Sequence, residues 1–321
     1  MKDGYVKILV KIIVLLATLV VMDIVVGWTG EKYMKWLNKV PRDGDAALVN
    51  YDLNAAIPDI AIIGSSTATC HYDPDIIHDS IMSFLGEDLS VFNMGMSNQR
   101  LAYDYYGLRC LLDRTLPKFV IVDVWASYLG SGDPSFSFSA YRPYVNINDN
   151  VKEMLVRHGK YDNTMKSNMY CFNTELVKLL ISPLKQSNVN GFLKSKVEMN
   201  TIIKDYDKDT TSLLPLSVEE FDAILDLAKT KKFQLFVVLS PTLCSADTSS
   251  LSYRFMKSKC EENNIPFLDY SNDEKYYRTH YFRDQTHLNY YGAQLFTQEL
   301  MKDIKPLLLN YWSVHNNTVD N

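Results

Sequence analysis

The sequence predicts an α/β protein: a three-layer sandwich around a five-stranded, mostly parallel sheet, with one N-terminal transmembrane helix. Three observations predict this fold. Short apolar runs alternate with longer segments of helical spacing, which is the pattern of a parallel sheet covered by helices. Two of these runs end directly in glycine, which indicates a sharp turn after the strand. A stretch of about 20 apolar residues, enough for a bilayer crossing, lies near the N-terminus.

The apolar N-terminal stretch runs from Ile8 to Trp28 and is broken only by Lys11, Thr18 and Asp23. A cleaved signal peptide is the rival interpretation, but bulky residues stand where a small-residue cleavage site is needed. We therefore expect an uncleaved anchor over residues 1–30. Lysine and arginine flank both ends almost equally, so the positive-inside rule does not set the orientation.

A charged, turn-rich connector is expected over 31–57, followed by one α/β domain over 58–310 and a tail over 311–321. Within that domain the alternating pattern is lost between about 128 and 215, which we interpret as an insertion. Short apolar runs predict the strands, and these are 58–64, 89–95, 117–125, 233–241 and 265–271.

Helices are predicted between these strands, over about 75–84, 99–115, 217–232, 251–263 and 290–304. Apolar residues at helical spacing support the second of them, and Asp73-Pro74 is a typical helix start before the first. Ser217 and Glu220 have the spacing of a capping box, which predicts that the third helix begins there.

Composition excludes some functions. The net charge is −5 and the pI is about 5.7, with no basic stripe, so no nucleic-acid partner is expected. The five cysteines are widely spaced without a zinc pattern; at most two disulfides can form, and free thiols fit equally well. A loose group of acids and histidines lacks any recognised ligand spacing, so neither a metal nor a cofactor is expected. Its members are His71, Asp73, Asp75, His78 and Asp79.

The stretch "IIGSSTATCH" leaves the first strand through Gly64 into small hydroxyl residues. In parallel sheets, active sites lie beyond the carboxyl ends of the strands, so this turn is a candidate for holding a nucleophile. From the residues alone, the nucleophile is Ser65, Ser66 or Cys70.

A serine nucleophile needs a base, and the base needs a group that orients it. Of the six histidines, His287 is the best placed, because it lies just before the last helix with Asp284 three residues upstream. An Asp-x-x-His turn places a carboxylate beside the imidazole and leaves the other ring nitrogen free for the serine.

The motifs "IAIIGSSTA", "FNMGMSNQ", "VVLSP", "IPFLDYS" and "YFRDQTHLNYYGAQLFTQEL" together resemble the SGNH (GDSL-like) hydrolase superfamily. More narrowly, the chain is similar to the membrane-anchored branch that includes D-alanine-transfer and alginate acetylation proteins. The resemblance covers roughly residues 58–127 and 216–305 and implies an SGNH or flavodoxin-like fold.

The resemblance also implies roles for individual residues. The superfamily motif Gly-Asp-Ser falls on Gly64-Ser65-Ser66, which makes Ser66 the nucleophile, His287 the base and Asp284 its orienting carboxylate. The backbone N–H groups of Ser66 and Gly95 would form the oxyanion hole.

One block of the superfamily pattern is missing. Gly-x-Asn-Asp should follow the third strand, but the sequence there is "VDVWASYLG", without asparagine. Asn98 is the substitute that we expect in the oxyanion hole.

Two classes of function follow. The first is a membrane-anchored serine esterase or O-acyltransferase that acts on an extracytoplasmic glycan through an acyl-Ser66 intermediate, with a multi-spanning membrane acyltransferase as a possible donor of the acyl group. The second is a catalytically inactive envelope protein that keeps the fold to bind glycan or such a partner.

Overall fold

The computed structural model describes residues 2–130, 138–186, 189–200 and 212–316 of the 321-residue chain. Five strands lie in this part: β1 (Ile60–Ile63), β2 (Val91–Asn93), β3 (Phe119–Val124), β4 (Gln234–Leu239) and β5 (Phe267–Asp269). Its α-helices are α1 (Lys2–Leu37), α2 (Asp45–Asn54), α3 (Ser66–His71), α4 (Pro74–Leu85), α5 (Leu101–Leu112), α6 (Asp149–Arg157), α7 (Asn168–Ile181), α8 (Pro215–Lys231), α9 (Leu251–Glu262) and α10 (Tyr290–Asn316).

The chain divides into two compact units. The first unit is Met1–Ala55 with Phe138–Asn188, and the second is Ala56–Ser137 with Val189–Asn321. This division differs from the predicted one. Part of the predicted insertion belongs with the N-terminal helices, and the predicted connector contains α2. Parts of that insertion, 131–137, 187–188 and 201–211, lie outside the described residues.

The second unit is built on one five-stranded sheet in the order β2-β1-β3-β4-β5, with every neighbouring pair parallel. All residues of the interior strands β1 and β3 are buried, as expected for a sheet covered on both faces. Alternate strand residues such as Ile60 and Ile62 share a hydrophobic core with aromatic and aliphatic side chains of α4 and α10. The predicted fold class is therefore confirmed.

The five predicted strands and the five predicted helices are all present, and most of their ends shift by a few residues. The prediction that the third helix begins with a capping box was wrong. Helix α8 begins at Pro215, so Ser217 lies inside the helix, and Leu214 precedes the helix without a side-chain cap. Proline fits this first position because its nitrogen has no hydrogen to leave unpaired. The last helix also extends past the predicted end, since α10 continues through Pro306 to Asn316. Residues 317–321 of the predicted tail lie outside the described residues.

In the first unit, α1 packs lengthwise against α7. Asp23 caps the start of α7, because its carboxylate accepts hydrogen bonds from Ser167 Oγ (2.6 Å) and Met169 N–H (2.9 Å). Further along, Gly30 lies against the Phe172 ring, where a Cβ atom would come within 2.3 Å of that ring. The same α1 is the one helix in the described residues that is long and apolar enough to cross a membrane, and an 18-residue stretch within it has a mean hydropathy of 2.8.

Gly64 forms the turn between β1 and α3. Its φ of +147° is a conformation that side chains disfavour, and an added Cβ would lie 2.9 Å from both the Ala68 Cβ and the Asp123 carbonyl oxygen. The turn therefore requires glycine for its backbone angle and for the close approach of α3 to β3.

Gly64→Ala is expected to lower the free energy of unfolding by about 3 kcal/mol or more, because backbone strain and overpacking each cost about 1–3 kcal/mol. Gly86→Ala is the matched control. Gly86 also has a positive φ of 72°, but nothing lies within 4 Å of its added Cβ. The control should therefore cost only about 1–2 kcal/mol. Chemical denaturation of both variants checks this, and equal losses would contradict the close packing at Gly64.

Candidate active site

The turn after β1 presents Ser66 at the carboxyl edge of the sheet. Ser65 is buried and precedes the helix, whereas Ser66 is the first residue of α3 and is partly exposed. The N–H groups in the first turn of a helix have no intrahelical partners. Ser66 therefore combines an accessible hydroxyl with a backbone donor directed away from the helix.

The loop before α10 is closed by its own backbone. Phe282 and Leu288 form an antiparallel bridge, and Arg283 N–H donates to the His287 carbonyl oxygen at 3.0 Å. One oxygen of Asp284 accepts the N–H groups of Thr286 and His287, each at 3.0 Å. These contacts fix the carboxylate beside the His287 ring before any substrate is present.

Ser66, His287 and Asp284 form a continuous chain of hydrogen bonds. Ser66 Oγ lies 2.7 Å from His287 Nε2, and His287 Nδ1 lies 2.8 and 2.9 Å from the two Asp284 oxygens. With a proton on Nδ1, the ring donates to the carboxylate and accepts the serine hydroxyl at Nε2. This is the geometry of a base ready to deprotonate a serine.

The environment keeps Asp284 ionised. Partial burial alone raises the pKa of this carboxyl, but hydrogen bonds and charge from the His287 ring, together with the loop N–H groups, hold it well below its usual value. An ionised Asp284 keeps the proton on Nδ1 of the neutral ring and stabilises the imidazolium that forms when Ser66 loses its proton.

The other two candidate nucleophiles do not reach the base. Ser65 is 2% exposed and Cys70 is 1% exposed, and neither is bonded to His287. Burial raises the pKa of the Cys70 thiol, with a smaller opposing effect from a hydrogen bond to Thr69, so the reactive thiolate is disfavoured. No disulfide joins any of the five cysteines, all of which lie within the described residues.

The expected oxyanion donors are arranged differently from the superfamily pattern. Gly95 N–H donates to the side-chain oxygen of Asn93 at 2.9 Å instead of facing an open position. Gly95 also lies tightly against α3, where an added Cβ would be 2.7 Å from the Ala68 Cβ. Asn98 is exposed and has a left-handed backbone with φ 59°, in the loop that follows β2. Ser66 N–H is thus the donor that the structure places directly at the nucleophile.

The loose group of acids and histidines separates into unrelated contacts. Asp73 caps α4 by accepting Asp75 N–H at 3.1 Å, as the Asp-Pro helix start predicts. His78 is on the surface and contacts the carboxylates of Asp79 and Asp88. No cluster of metal-ligating side chains is found among the described residues.

Sequence reasoning missed a set of buried polar side chains behind the triad. Asp123 is 1% exposed and accepts hydrogen bonds from the hydroxyls of Thr67 and Tyr72. His71 is fully buried and contacts Ser240 Oγ at 2.8 Å. A signal was available, because Asp123 is the one acid in the apolar run "FVIVDV", and charged residues are almost never fully buried without partners.

No protein-family model matches the chain, and no curated protein matches it. Solved structures that match include a lipase/acylhydrolase from Enterococcus faecalis, with 14% identity over 77% of this chain and 95% of that one, at a TM-score of 0.34. The esterase EstA from Pseudoalteromonas sp. matches with 10% identity over 78% and 98%, at a TM-score of 0.41. The acetylxylan esterase Axe2 from Geobacillus stearothermophilus matches with 11% identity over 76% and 93%, at a TM-score of 0.39. At these identities and scores, the likeness determines neither residue roles nor substrate.

Asp284→Asn is expected to lower kcat for a simple ester such as p-nitrophenyl acetate by about 100- to 10,000-fold, because the amide no longer fixes the base in its working tautomer. The rate of p-nitrophenol release measures this. Asp273→Asn is the matched control, since Asp273 caps a short helix by accepting Lys275 N–H and asparagine also caps helices. Similar rates for the two variants would contradict the role of Asp284.

Proposed function

We propose that the chain is a serine ester hydrolase or O-acyltransferase of the SGNH type, anchored in a membrane and acting on an extracytoplasmic glycan. The observation that carries the enzymatic part is the unbroken hydrogen-bond chain from Ser66 through His287 to Asp284. The glycan and the extracytoplasmic location are supported by the resemblance of the motifs and by the apolar helix α1.

The chemistry proceeds in two steps. Ser66 Oγ attacks the acyl carbonyl carbon as its proton passes to His287 Nε2, and the resulting oxyanion is stabilised by Ser66 N–H. The intermediate collapses when His287 gives that proton to the leaving alcohol, which leaves an acyl-Ser66 ester. Water or a sugar hydroxyl then attacks this ester and loses its proton to His287, and the bond between the acyl carbon and Ser66 Oγ breaks as His287 passes that proton to Oγ. Water gives hydrolysis, and a sugar hydroxyl gives acyl transfer.

A second candidate is the catalytically inactive envelope protein, which binds glycan or a membrane acyltransferase. The occupied N–H of Gly95 favours it, because a missing oxyanion donor costs about 100- to 1000-fold in rate. The intact triad favours the enzyme, since His287 contacts the partly exposed Ser66 hydroxyl at 2.7 Å on one side and the Asp284 carboxylate at 2.8 Å on the other, which is the arrangement that a serine nucleophile requires.

A fluorophosphonate probe should label the wild-type protein, because the probe needs an activated serine. Ser66→Ala should abolish labelling, whereas Ser65→Ala and Cys70→Ser should keep it, since the buried Ser65 and Cys70 do not contact His287. In-gel fluorescence on the folded variants checks this. Labelling of Ser66→Ala would mean another nucleophile, and an unreactive, folded wild type would favour the binding protein.

The same reactive protein can be given an O-acetylated glycan with and without free acceptor glycan. Release of acetate indicates hydrolysis, and an acetyl mass added to the acceptor indicates transfer. If the protein reacts with the probe but neither releases acetate nor acetylates the acceptor glycan, the triad assignment stands and the glycan substrate is contradicted.

The contacts of α1 within the first unit support an uncleaved anchor. Cleavage beyond Trp28 would remove Asp23, and α7 would lose the carboxylate that caps its first turn. A cap of this kind contributes about 1 kcal/mol. The helix is thus part of the packed unit as well as a candidate for crossing the bilayer.

We expect a chain tagged at both ends to stay in the membrane fraction after washing with high salt. On a gel, both tags should be detected on one band of full length. A protease added outside spheroplasts should remove the C-terminal tag, because the proposal places the globular part outside the cytoplasm. A soluble fragment that lacks the N-terminal tag would instead indicate a cleaved signal sequence. A membrane-bound chain whose C-terminal tag resists the protease would contradict the orientation only.

A further inference from the structure

Three buried polar residues lie directly behind the Ser66–His287 contact. His71 is the last residue of α3, Asp123 is on β3, and Ser240 follows β4. They are 0%, 1% and 5% exposed. Burying polar groups costs free energy unless hydrogen bonds compensate, so the contacts of such a cluster show what it holds in place.

The contacts of His71 define its protonation. Leu288 N–H donates to His71 Nε2 at 2.9 Å, so Nε2 is an acceptor and carries no proton. The proton of the neutral ring is therefore on Nδ1, which lies 2.8 Å from Ser240 Oγ and donates to it. Burial, reinforced by the nearby His287, holds the pKa of His71 well below its usual value. His71 is thus a neutral residue with one assigned tautomer.

Leu288 directly follows His287, so the bond from Leu288 N–H to His71 fixes the main chain at the base. On its other side, His71 is tied to β4 through Ser240. The bond to Leu288 joins residues 217 positions apart in sequence, and it connects the end of the nucleophile helix to the loop of the base.

Asp123 connects the same cluster to the nucleophile. Its carboxylate accepts hydrogen bonds from Thr67, the residue after Ser66, and from the Tyr72 hydroxyl at 2.6 Å. Ser240 also contributes side-chain and backbone hydrogen bonds to the Asp123 carboxyl. Burial raises the pKa of Asp123 to about 6, and these hydrogen bonds offset part of that rise. The helix that begins with Ser66 and the loop that carries His287 are therefore both held against β3 and β4.

We propose that His71 is a positioning residue of the active site, which holds Leu288 N–H so that His287 Nε2 stays within hydrogen-bond reach of Ser66 Oγ. Ser240 and Asp123 fix the tautomer and orientation of His71. This inference rests on the proposed serine-enzyme function. The structural reason for its importance is that a displacement of about 1 Å at a reacting group can cost about 100-fold in rate.

Two substitutions separate the two hydrogen bonds of His71. The amide oxygen of glutamine reaches about as far as Nε2, so His71→Gln keeps an acceptor for Leu288 N–H. The shorter asparagine reaches only the position of Nδ1, so His71→Asn keeps the contact to Ser240 and leaves Leu288 N–H unpaired. Both variants lose the imidazole ring, so the loss of packing in the core is similar in the two.

We expect His71→Asn to lower kcat for p-nitrophenyl acetate and the rate of fluorophosphonate labelling by about 100-fold, with KM little changed. His71→Gln should recover most of this loss and stay within about tenfold of wild type. Thermal unfolding of each variant identifies the folded fraction, so that rates refer to folded protein. Equal rates for folded His71→Asn and wild type would overturn the proposal, as would equal losses in the two variants.

A double-mutant cycle tests whether His71 acts through His287. In a His287→Ala background, His71→Asn should lower the residual rate of p-nitrophenyl acetate hydrolysis no further, because the base that it positions is gone. A further loss of similar size would indicate a general effect on the fold and would contradict the positioning role. An unreactive wild type would contradict the proposed function itself, whereas a reactive wild type with an equally reactive His71→Asn contradicts only the role of His71.

Discussion

The hydrogen bond between Ser66 Oγ and His287 Nε2 is the contact on which the site depends. It joins residues 221 positions apart at a distance of 2.7 Å. It exists because β1 and the loop before α10 end at the same edge of a parallel sheet. Gly64 permits the sharp turn after β1, and Asn289 fixes the start of α10 by accepting the N–H groups of Tyr291 and Gly292 at 3.1 Å. Each of these local features serves to bring two distant side chains together.

The sheet was predictable from the sequence because fully buried parallel strands are continuous apolar runs, such as "IAII" and "FVIVDV". The spacing of Asp284 and His287 before the last helix made them predictable as a pair, whereas the turn after β1 left Ser65, Ser66 and Cys70 as candidates, and only the resemblance to the superfamily selected Ser66. The roles of His71, Asp123 and Ser240 were not, since their contacts join residues from separate parts of the sequence. The division into units was missed for the same reason: α1 packs on α7, and no local pattern shows which helix faces which.

The oxyanion arrangement follows from the packing of β2 against α3. Asn93 is 1% exposed, and its Nδ2 donates to the Ala68 carbonyl oxygen at 2.7 Å, while its Oδ1 accepts Gly95 N–H. Releasing Gly95 N–H for an oxyanion would require this buried amide to turn and break both bonds. Unpaired buried groups cost about 1–3 kcal/mol each, so that rotation is disfavoured. Stabilisation beyond Ser66 N–H must therefore come from another donor, and Asn98 is the exposed candidate in the loop after β2.

Where α1 crosses a bilayer as proposed, Asp23 fixes the depth of the crossing. The apolar residues before it, Ile8 to Met22, measure about 22 Å at about 1.5 Å per residue, and the side chains of Lys7 and Lys11 can extend from the hydrocarbon to the far surface of the bilayer. The carboxylate of Asp23 and the polar start of α7 need water or hydrogen-bond partners, so the hydrocarbon must end before them. Trp28, with Lys32 Nζ 3.7 Å from its ring centroid, then lies beyond the hydrocarbon, in the polar zone that tryptophan prefers. The remainder of α1 is therefore a structural helix of the first unit, so the anchor enters that unit directly and needs no flexible linker.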